Sequence, residues 1–279
     1  MTKRFYIALA LLLAVPALVF AQQTQNPLTI TVNGVNFNMI QVQGGTFTMG
    51  ATSEQGKDAY NDERPAHEVT LSTYYIGETE VTQELWKAVM GSNPSENIGD
   101  KRPVETVNWE DCQIFIRRLN QLTGKKFRLP TEAEWEFAAR GGMKSEGYKY
   151  SGGNDIIEVA QSSEYIEKLA KITQILEDLS FEDAKMDVIK NHISVKDHKP
   201  NELGIYDMSG NVWEWCSDWY GDYTAAAQID PKGASEGSRR VIRGGSWLSF
   251  AWACRSLYRG NRSPDYRGSD LGLRLVLLP

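Results

Sequence analysis

The sequence predicts one α+β domain with much irregular structure. Residues 28–40 largely alternate apolar and polar side chains around Asn33-Gly34, the pattern of a β-hairpin. Three later segments begin with a residue suited to cap a helix and continue with apolar residues at helical spacing. After Pro200 the chain is rich in glycine and aromatic residues and has few helix signals. No repeat or linker-like segment divides it, so we expect a single domain.

The β signals lie in the first third of the chain. Residues 43–50 form a short segment bracketed by glycines, and we predict a strand there. A polar stretch at 51–65 reads as a loop. Residues 67–71 and 74–77 then predict two further strands.

Three helices are predicted from their start signals. Thr82 and Asn108 each precede an apolar stripe, and Gly124 ends the second helix. Thr131 is followed three residues later by Glu134, the spacing of a capping box. The acids of the first turn also interact favourably with the helix dipole. We therefore expect this segment to have a structural role.

The segment Ser162–Lys190 has a different character, with Glu and Lys between apolar residues at helical spacing. It predicts one amphipathic helix, or two with a break near Ser180. Two interpretations stay open: a surface helix packed on the domain, and a partner-binding or lid element. The apolar positions are Ile166, Leu169, Ile172, Leu176 and Leu179.

The first 21 residues predict a secretory signal peptide. Lys3 and Arg4 precede the apolar run Phe5–Phe20, and Ala21 supplies a small residue at the expected cleavage point. An uncleaved anchor is the alternative, but the run is shorter than the roughly 20 residues that span a bilayer. We therefore expect export to the periplasm or the extracellular space, with no transmembrane segment after cleavage.

Charge and cysteine content exclude several classes of function. The formal net charge is −6, and no basic block is present, so we do not expect nucleic acid as a partner. The three cysteines, Cys112, Cys216 and Cys254, lack a Cys-x-x-Cys spacing. Export permits one disulfide and leaves one thiol over.

Four stretches carry a resemblance to a known family: 44–50, Glu78–Trp86, Arg128–Glu136 and Gly204–Trp215, the last reading Gly-Ile-Tyr-Asp-Met-Ser-Gly-Asn-Val-Trp-Glu-Trp. In this order they resemble the formylglycine-generating enzymes, also called sulfatase-modifying factors. The resemblance implies a C-type-lectin-like fold over residues 28–279, with 162–190 as a helical insertion.

The segment Arg243–Arg274 resembles the C-terminal signature of the same family, in which two cysteines bind copper(I) and oxidise a substrate cysteine with O2. The matching positions here are Ser249 and Cys254, with Ser246 beside the implied cleft. A serine hydroxyl is a poor ligand for a soft cation such as copper(I). Copper is therefore doubtful, and these three residues are the catalytic candidates if the chain is an enzyme.

Cys254 also has two structural interpretations. It is either a small buried hydrophobic residue or one half of a disulfide to Cys112, because the resemblance implies a disulfide between that helix and the C-terminal segment. The related cysteine of the family aligns nearer Ile116, on the same helix face.

The resemblance further implies a calcium ion in the loop that precedes Trp215. Its ligands would be the carbonyl oxygens of Ser209, Gly210 and Val212 and the side chain of Glu214, since calcium prefers such hard oxygen donors. The alternative is that Glu214 forms a buried salt bridge with an arginine. The aromatic residue Trp213 is expected to belong to the core rather than to a ligand site.

Three hypotheses for function follow. The preferred one is an exported member of the family without copper-dependent oxidase activity, which binds a protein or peptide in the cleft. A related one is a cell-envelope component that docks through 162–190. The alternative is an active formylglycine-generating oxidase acting on a sulfatase cysteine. Signatures of other enzyme classes, such as the P-loop or the Gly-x-Ser-x-Gly elbow, are absent from the sequence.

Overall fold

The computed structural model describes residues 26–168 and 193–279. The predicted signal peptide and most of the predicted insertion lie outside these ranges. Within them, no helix is both long enough and apolar enough to cross a membrane. A helical segment at 163–168 lies at the start of the insertion, and its first residues form hydrogen bonds with residues 249–251 of the C-terminal segment. Ser163 donates from its backbone N–H to the carbonyl of Ser249 at 3.0 Å, and the Glu164 carboxylate accepts from the N–H of Ala251 at 2.9 Å.

The strands are short, as the irregular sequence pattern predicts. The described residues contain twelve: β1 Leu28–Val32, β2 Val35–Val42, β3 Gly45–Met49, β4 His67–Leu71, β5 Tyr74–Gly77, β6 Phe127–Arg128, β7 Trp213–Trp219, β8 Gln228–Ile229, β9 Arg240–Arg243, β10 Gly260–Arg262, β11 Leu271–Gly272 and β12 Val276–Leu277.

The strands form three sheets. The first has the order β1-β2-β5-β12-β6, which brings the two ends of the domain together. The second has the order β10-β9-β7-β11 and carries the C-terminal signature, and the third has the order β3-β4-β8. The predicted hairpin is confirmed: Asn33 and Gly34 turn the chain with φ angles of 48° and 84°, the left-handed conformation that this type of turn requires.

The predicted helix starts are also confirmed. Thr82 accepts a hydrogen bond from the N–H of Leu85 at 3.3 Å, and Asn108 caps the next helix. Thr131 and Glu134 form the predicted reciprocal capping box, with bonds of 2.8 and 3.2 Å. The helices are α1 Gln83–Met90, α2 Trp109–Thr123, α3 Glu132–Ala139 and α4 Ile156–Val159.

Two large apolar clusters and one small cluster hold the domain together. The first lies between α1, α2 and the first sheet, where Trp86 stacks on Phe115 with ring centroids 4.8 Å apart. The second surrounds α3. All residues of this helix are buried, and its Trp135 and Phe137 belong to the cluster. The third is small and contains Cys254. A single α+β domain is therefore confirmed.

The three cysteines do not form the disulfide that the sequence left open. Cys112, Cys216 and Cys254 are all free and buried. Each lies in a different apolar cluster, so their sulfur atoms are held apart by core side chains. The disulfide interpretation of Cys254 and Cys112 is wrong, and the small buried hydrophobic residue fits the structure.

Candidate functional site

A glycine turn leads from β9 into the candidate site. Gly244 and Gly245 have φ angles of 96° and 74°, which L side chains rarely adopt. A Cβ atom at Gly245 would lie 2.6 Å from the sulfur of Cys254, and one at Gly244 would lie 3.2 Å from the Trp135 ring. Both glycines are therefore required for close packing as well as for the turn.

Buried ion pairs anchor this turn to the rest of the domain. Arg243 is fully buried and donates to Glu132 at 2.9 Å and to Glu136 at 2.8 Å. Arg259 pairs with the same Glu132 through bonds of 2.7 and 2.8 Å. The motif at 128–136 is thus structural, because its acids pair with arginines of the C-terminal segment. The paired residues lie 107 to 127 positions apart in the chain, so no local spacing in the sequence could predict these ion pairs.

The two candidate serines form a small hydrogen-bonded group. The hydroxyl oxygens of Ser246 and Ser249 lie 3.1 Å apart, and Ser249 also accepts from the N–H of Ser246 at 3.0 Å. Ser246 donates to Asp270 at 3.2 Å. Burial raises the pKa of the Asp270 carboxyl. The structure therefore brings Ser246 and Ser249 together, and adds Asp270, which the sequence had not singled out.

The Cys254 thiol is buried against the glycine turn, next to Gly245 and the backbone N–H of Ser246. It is 0% exposed and packs in the small cluster with Tyr150, Ile156 and Val159. Burial, and secondarily the charge of Glu164, raise the pKa of the Cys254 thiol well above its ordinary value. A buried thiol of raised pKa is inert towards metals and oxidants. A catalytic role for Cys254 stays a prediction, and these contacts favour the structural interpretation.

Next to the serines lies a cleft of about 420 Å³, which we call the aromatic cleft. Its floor contains Trp213 and Ile242, so Trp213 contributes to a site as well as to the core. Polar side chains, among them Asn261 and Arg262, line the other side. Cys254 is not among the lining residues. These are Asp62, Trp213, Ile242, Leu248, Ser249, Phe250, Trp252, Ala253, Tyr258, Arg259, Gly260, Asn261, Arg262 and Asp270.

The rim of the aromatic cleft exposes large apolar side chains. Leu248, Phe250 and Trp252 are 55%, 57% and 42% exposed. The centroid of the Trp252 ring lies 5.2 Å from that of Tyr258 and 5.8 Å from that of Tyr60, so these two tyrosines support the exposed Trp252. A contiguous exposed apolar patch marks a binding surface more often than scattered single residues do. Phe250 and Trp252 lacked any sequence signal beyond their proximity to the glycine turn.

In the predicted calcium loop, the partner of Glu214 is an arginine. Both carboxylate oxygens of Glu214 accept from Arg274, with bonds of 3.0, 3.0 and 2.6 Å. The Trp135 indole N–H adds a bond of 2.7 Å. Arg274 also donates to the carbonyls of Gly77 and Tyr206. The buried salt bridge with an arginine, left open by the sequence, is the arrangement observed.

Two other residues of the predicted calcium set make hydrogen bonds through atoms other than their predicted carbonyl ligands. The Ser209 hydroxyl donates to the carbonyl of Cys254 at 2.8 Å and accepts from the N–H of Ser151 at 3.1 Å. The N–H of Gly210 donates to Gly244 at 2.8 Å. Because Glu214 is engaged by Arg274, the predicted set lacks a free carboxylate and does not fit calcium as drawn. The calcium ion stays a prediction.

Two further acids, missed by the sequence analysis, lie beside this pair. Glu80 and Asp207 are both buried, and Glu80 approaches Arg274 at 3.9 Å. Burial raises the pKa of Glu80, and raises the pKa of Asp207 to about 6. Oε2 of Glu80 and Oδ1 of Asn211 are buried without a hydrogen-bond partner. Across the part of the chain that is described, no group of three or more His, Cys, Asp or Glu side chains is arranged to hold a metal.

Comparison with known proteins agrees with this architecture. A family model described as "Sulfatase-modifying factor enzyme 1-like domain" matches residues 30–278. The chaperone protein LppX of Paenibacillus barcinonensis is 33% identical, over 87% of this chain and 90% of that protein. The formylglycine-generating enzyme of Streptomyces coelicolor is 30% identical, over 84% of this chain and 87% of the enzyme.

Solved structures show the same fold. Variable protein 1 of Treponema denticola is 34% identical and superposes with a TM-score of 0.75, over 91% of this chain and 99% of its own. PvdO from Pseudomonas aeruginosa has a TM-score of 0.67 at 24% identity, over 91% of this chain and all of its own, and supports the fold alone.

Proposed function

The chain belongs to the sulfatase-modifying-factor family, and we propose that it is a binding member of it, taking a peptide or protein segment in the aromatic cleft without copper-dependent oxidation of a cysteine. The cleft is open, with exposed apolar side chains at its rim, Trp213 and Ile242 at its floor and polar side chains along one side. Trp, Tyr and Arg are the side chains that dominate binding energy at protein interfaces.

The observation that carries this proposal is the separation of the thiol from the cleft. Ser249 lines the aromatic cleft, whereas Cys254 is fully buried in another cluster. Copper(I) prefers thiolate ligands, and the described cleft offers a hydroxyl at this position instead. Binding through exposed aromatic residues needs neither a thiol nor a metal.

The relatives are compatible with a role other than oxidation. One is named a chaperone and another a variable protein, and both are slightly more similar to this chain than the Streptomyces enzyme is. The second candidate function is the oxidase itself, because similarity to that enzyme covers 84% of the chain. We therefore design one test for each.

The binding test begins with selection of random dodecapeptides on the wild-type protein, followed by measurement of the selected peptides on variants. Trp252→Ala is expected to weaken their binding about tenfold or more, since it removes an exposed aromatic anchor. Leu122→Ala is the matched control, because Leu122 is a comparably exposed apolar residue on α2, away from the cleft lining. Equal loss in both variants, or no enrichment of any peptide, would contradict the proposal.

The oxidase test is titration of the reduced protein with copper(I) in competition with a chromophoric chelator. We expect no tight binding dependent on Cys254. Tight one-to-one binding that disappears in Cys254→Ser would overturn the proposal and establish the oxidase alternative. Turnover of a sulfatase-derived cysteine peptide with O2 would have the same consequence.

Export and docking of cell-envelope proteins through 162–190 form the remaining part of the proposal. The opening of the insertion at 163–168 lies against the 249–251 segment of the cleft rim, which supports a link between the two. Deletion of 169–192 with unchanged binding partners would argue against a docking role for the insertion.

A further inference from the structure

A second, smaller cavity lies at the opposite end of the second sheet from the glycine turn. Its volume is about 200 Å³, and we call it the Asp218 pocket. Its inner wall comes from β4, β7 and the start of α3, and its mouth from the loop 221–234. The lining residues are Met49, His67, Glu132, Ala133, Asp218, Trp219, Gly221, Asp222, Tyr223, Thr224, Gln228, Pro231, Gly233, Ala234 and Arg259.

Asp218 is a buried acid without a cation partner. It is 3% exposed, and its Oδ2 accepts from the Ser217 hydroxyl at 2.8 Å. Among the described residues, no nitrogen of Lys, Arg or His lies within the 4.0 Å of an ion pair with it. The backbone N–H of Glu132 also stabilises the charged form of Asp218. In that described part of the chain, Asp218 is thus held by hydrogen bonds and not by an ion pair, which leaves a buried carboxylate at the wall of a cavity able to accept a cation from outside.

The other charges around the pocket are already matched. Glu132 is paired by both Arg243 and Arg259, at 2.9 and 2.7 Å. Arg240 donates to the carbonyl of Ser217, with its guanidinium over the Trp219 ring at 3.4 Å. Asp222 is exposed at the rim. Arg259 lies 3.9 Å over the Tyr223 ring, and Arg128 and Arg240 act on Asp218 only from beyond ion-pair distance, so among the described residues Asp218 is the buried acid of this lining without a direct ion pair.

The walls of the pocket suit a short alkyl chain. The rings of His67 and Tyr223 pack edge to face with centroids 4.9 Å apart, and Trp219 adds a further aromatic surface. His67 is held by a 3.1 Å contact between Nδ1 and the carbonyl of Pro65. Gly233, at a φ of 74°, lies so close that a Cβ atom there would come within 2.8 Å of Asp218 Oδ1. A side chain at that position would cover the carboxylate.

We propose that the Asp218 pocket binds a primary alkylammonium group, with Asp218 as the anionic anchor and the aromatic walls around the methylene stem. An ammonium carries three N–H donors, which fit a carboxylate and neighbouring carbonyls. Binding of the charge replaces a hydrated cation by a charge-assisted hydrogen bond in a dry pocket. Arg259 lines both this pocket and the aromatic cleft, but the anchor and the walls used here are other residues, so this proposal does not depend on the proposed function.

The test uses two ammonium probes and one neutral probe at pH 8. The probes are n-butylamine, Nα-acetyl-lysine methylamide and the uncharged Nα-acetyl-norleucine methylamide. Binding is followed by shifts of amide resonances around 218–234. We expect saturable binding of at least one ammonium probe, and none of the norleucine compound. Preference for the lysine derivative points to a partner's lysine side chain, and preference for butylamine to a free amine.

Three variants test the role of the carboxylate and access to the pocket. Asp218→Asn should weaken ammonium binding about tenfold or more, the usual effect of losing one charged hydrogen bond. Asp222→Asn, which removes an exposed acid of the same lining, should leave it within about twofold. Thr224→Trp, at the exposed mouth, should block entry without altering Asp218. Binding retained in Asp218→Asn, equal binding of the neutral probe, or no saturable binding by the wild type would overturn the proposal.

Discussion

The pairing of Glu214 with Arg274 predicts an asymmetry between two substitutions. Arg274→Met removes the guanidinium that three buried acids share, namely Glu214, Glu80 and Asp207. Glu214→Gln removes one acid and leaves the arginine beside the two others. The first variant should therefore be clearly less stable than the second, although both break the same salt bridge.

The magnitudes follow from what each variant leaves behind. Arg274→Met leaves Glu214 buried without a cation, which costs about 3–5 kcal/mol. It also deprives the Gly77 and Tyr206 carbonyls of their donors. Glu214→Gln keeps an acceptor for Trp135 and Arg274, so we expect about 1–3 kcal/mol. The difference between the variants should exceed roughly 1 kcal/mol.

Urea unfolding followed by tryptophan fluorescence measures both free energies. The deficit of Arg274→Met should shrink as the pH falls from 8 to 5, because its unpaired acids can then take up protons. The same series with calcium and with a chelator tests the ion predicted for this loop. If calcium were the partner of Glu214, chelation would destabilise the wild type but not Glu214→Gln.

Two results would refute the reasoning. Equal costs for Arg274→Met and Glu214→Gln would mean that the arginine does not compensate the neighbouring acids. A larger cost for Glu214→Gln, removed by chelation, would show that Glu214 serves a metal ion rather than Arg274. Arg274→Lys is the matched control: it retains the charge but loses the bidentate geometry, and should fall between the wild type and Arg274→Met.

Three further predictions concern separate parts of the fold. Burial, and secondarily Glu132, raise the pKa of Asp218 to about 7, so the folded state binds its proton more tightly than the unfolded state does. The free energy of unfolding of the wild type should therefore fall as the pH rises from about 4 to about 7, by roughly 4 kcal/mol at most. Asp218→Asn should lack this contribution. If the two proteins show parallel pH profiles of unfolding, the prediction is contradicted. Thr131→Ala removes the cap of α3 and should cost about 1 kcal/mol in urea unfolding. Thr123→Ala, which removes a half-buried hydroxyl at the C-terminal end of α2, should cost less, because no helix N-cap is lost. Cys254→Ala should cost about 1–2 kcal/mol of stability yet leave peptide binding in the aromatic cleft unchanged; a selective loss of binding would place the thiol in the site.

Local signals in the sequence were sufficient for most of the elements. The Asn33-Gly34 turn and the caps at Thr82, Asn108 and Thr131 involve hydrogen bonds between residues at most three apart. Their physical cause lies within a short segment, so the segment alone predicts them. The family motifs added the overall fold, which periodicity did not supply.

The candidate site was only partly predictable. The motifs pointed to Ser246, Ser249 and the glycine turn, and the structure groups these residues beside the aromatic cleft. Phe250 and Trp252 carry no periodic pattern, so their exposure could not be read from the sequence. Whether an aromatic residue is core or rim depends on which distant segments cover it.

By itself, the sequence determined the family and the chain's local turns and caps, and it predicted Ser249 at the position of one of the two copper-binding cysteines. The tertiary structure alone decided that Cys254 is buried in the small apolar cluster, that Glu214 pairs with Arg274 and that Asp218 forms no ion pair within the part of the chain that is described. Glu214 and Arg274 are 60 residues apart in the chain. The state of a buried charge or thiol depends on the groups that surround it in space and on the water they exclude, and neither is encoded in sequence spacing.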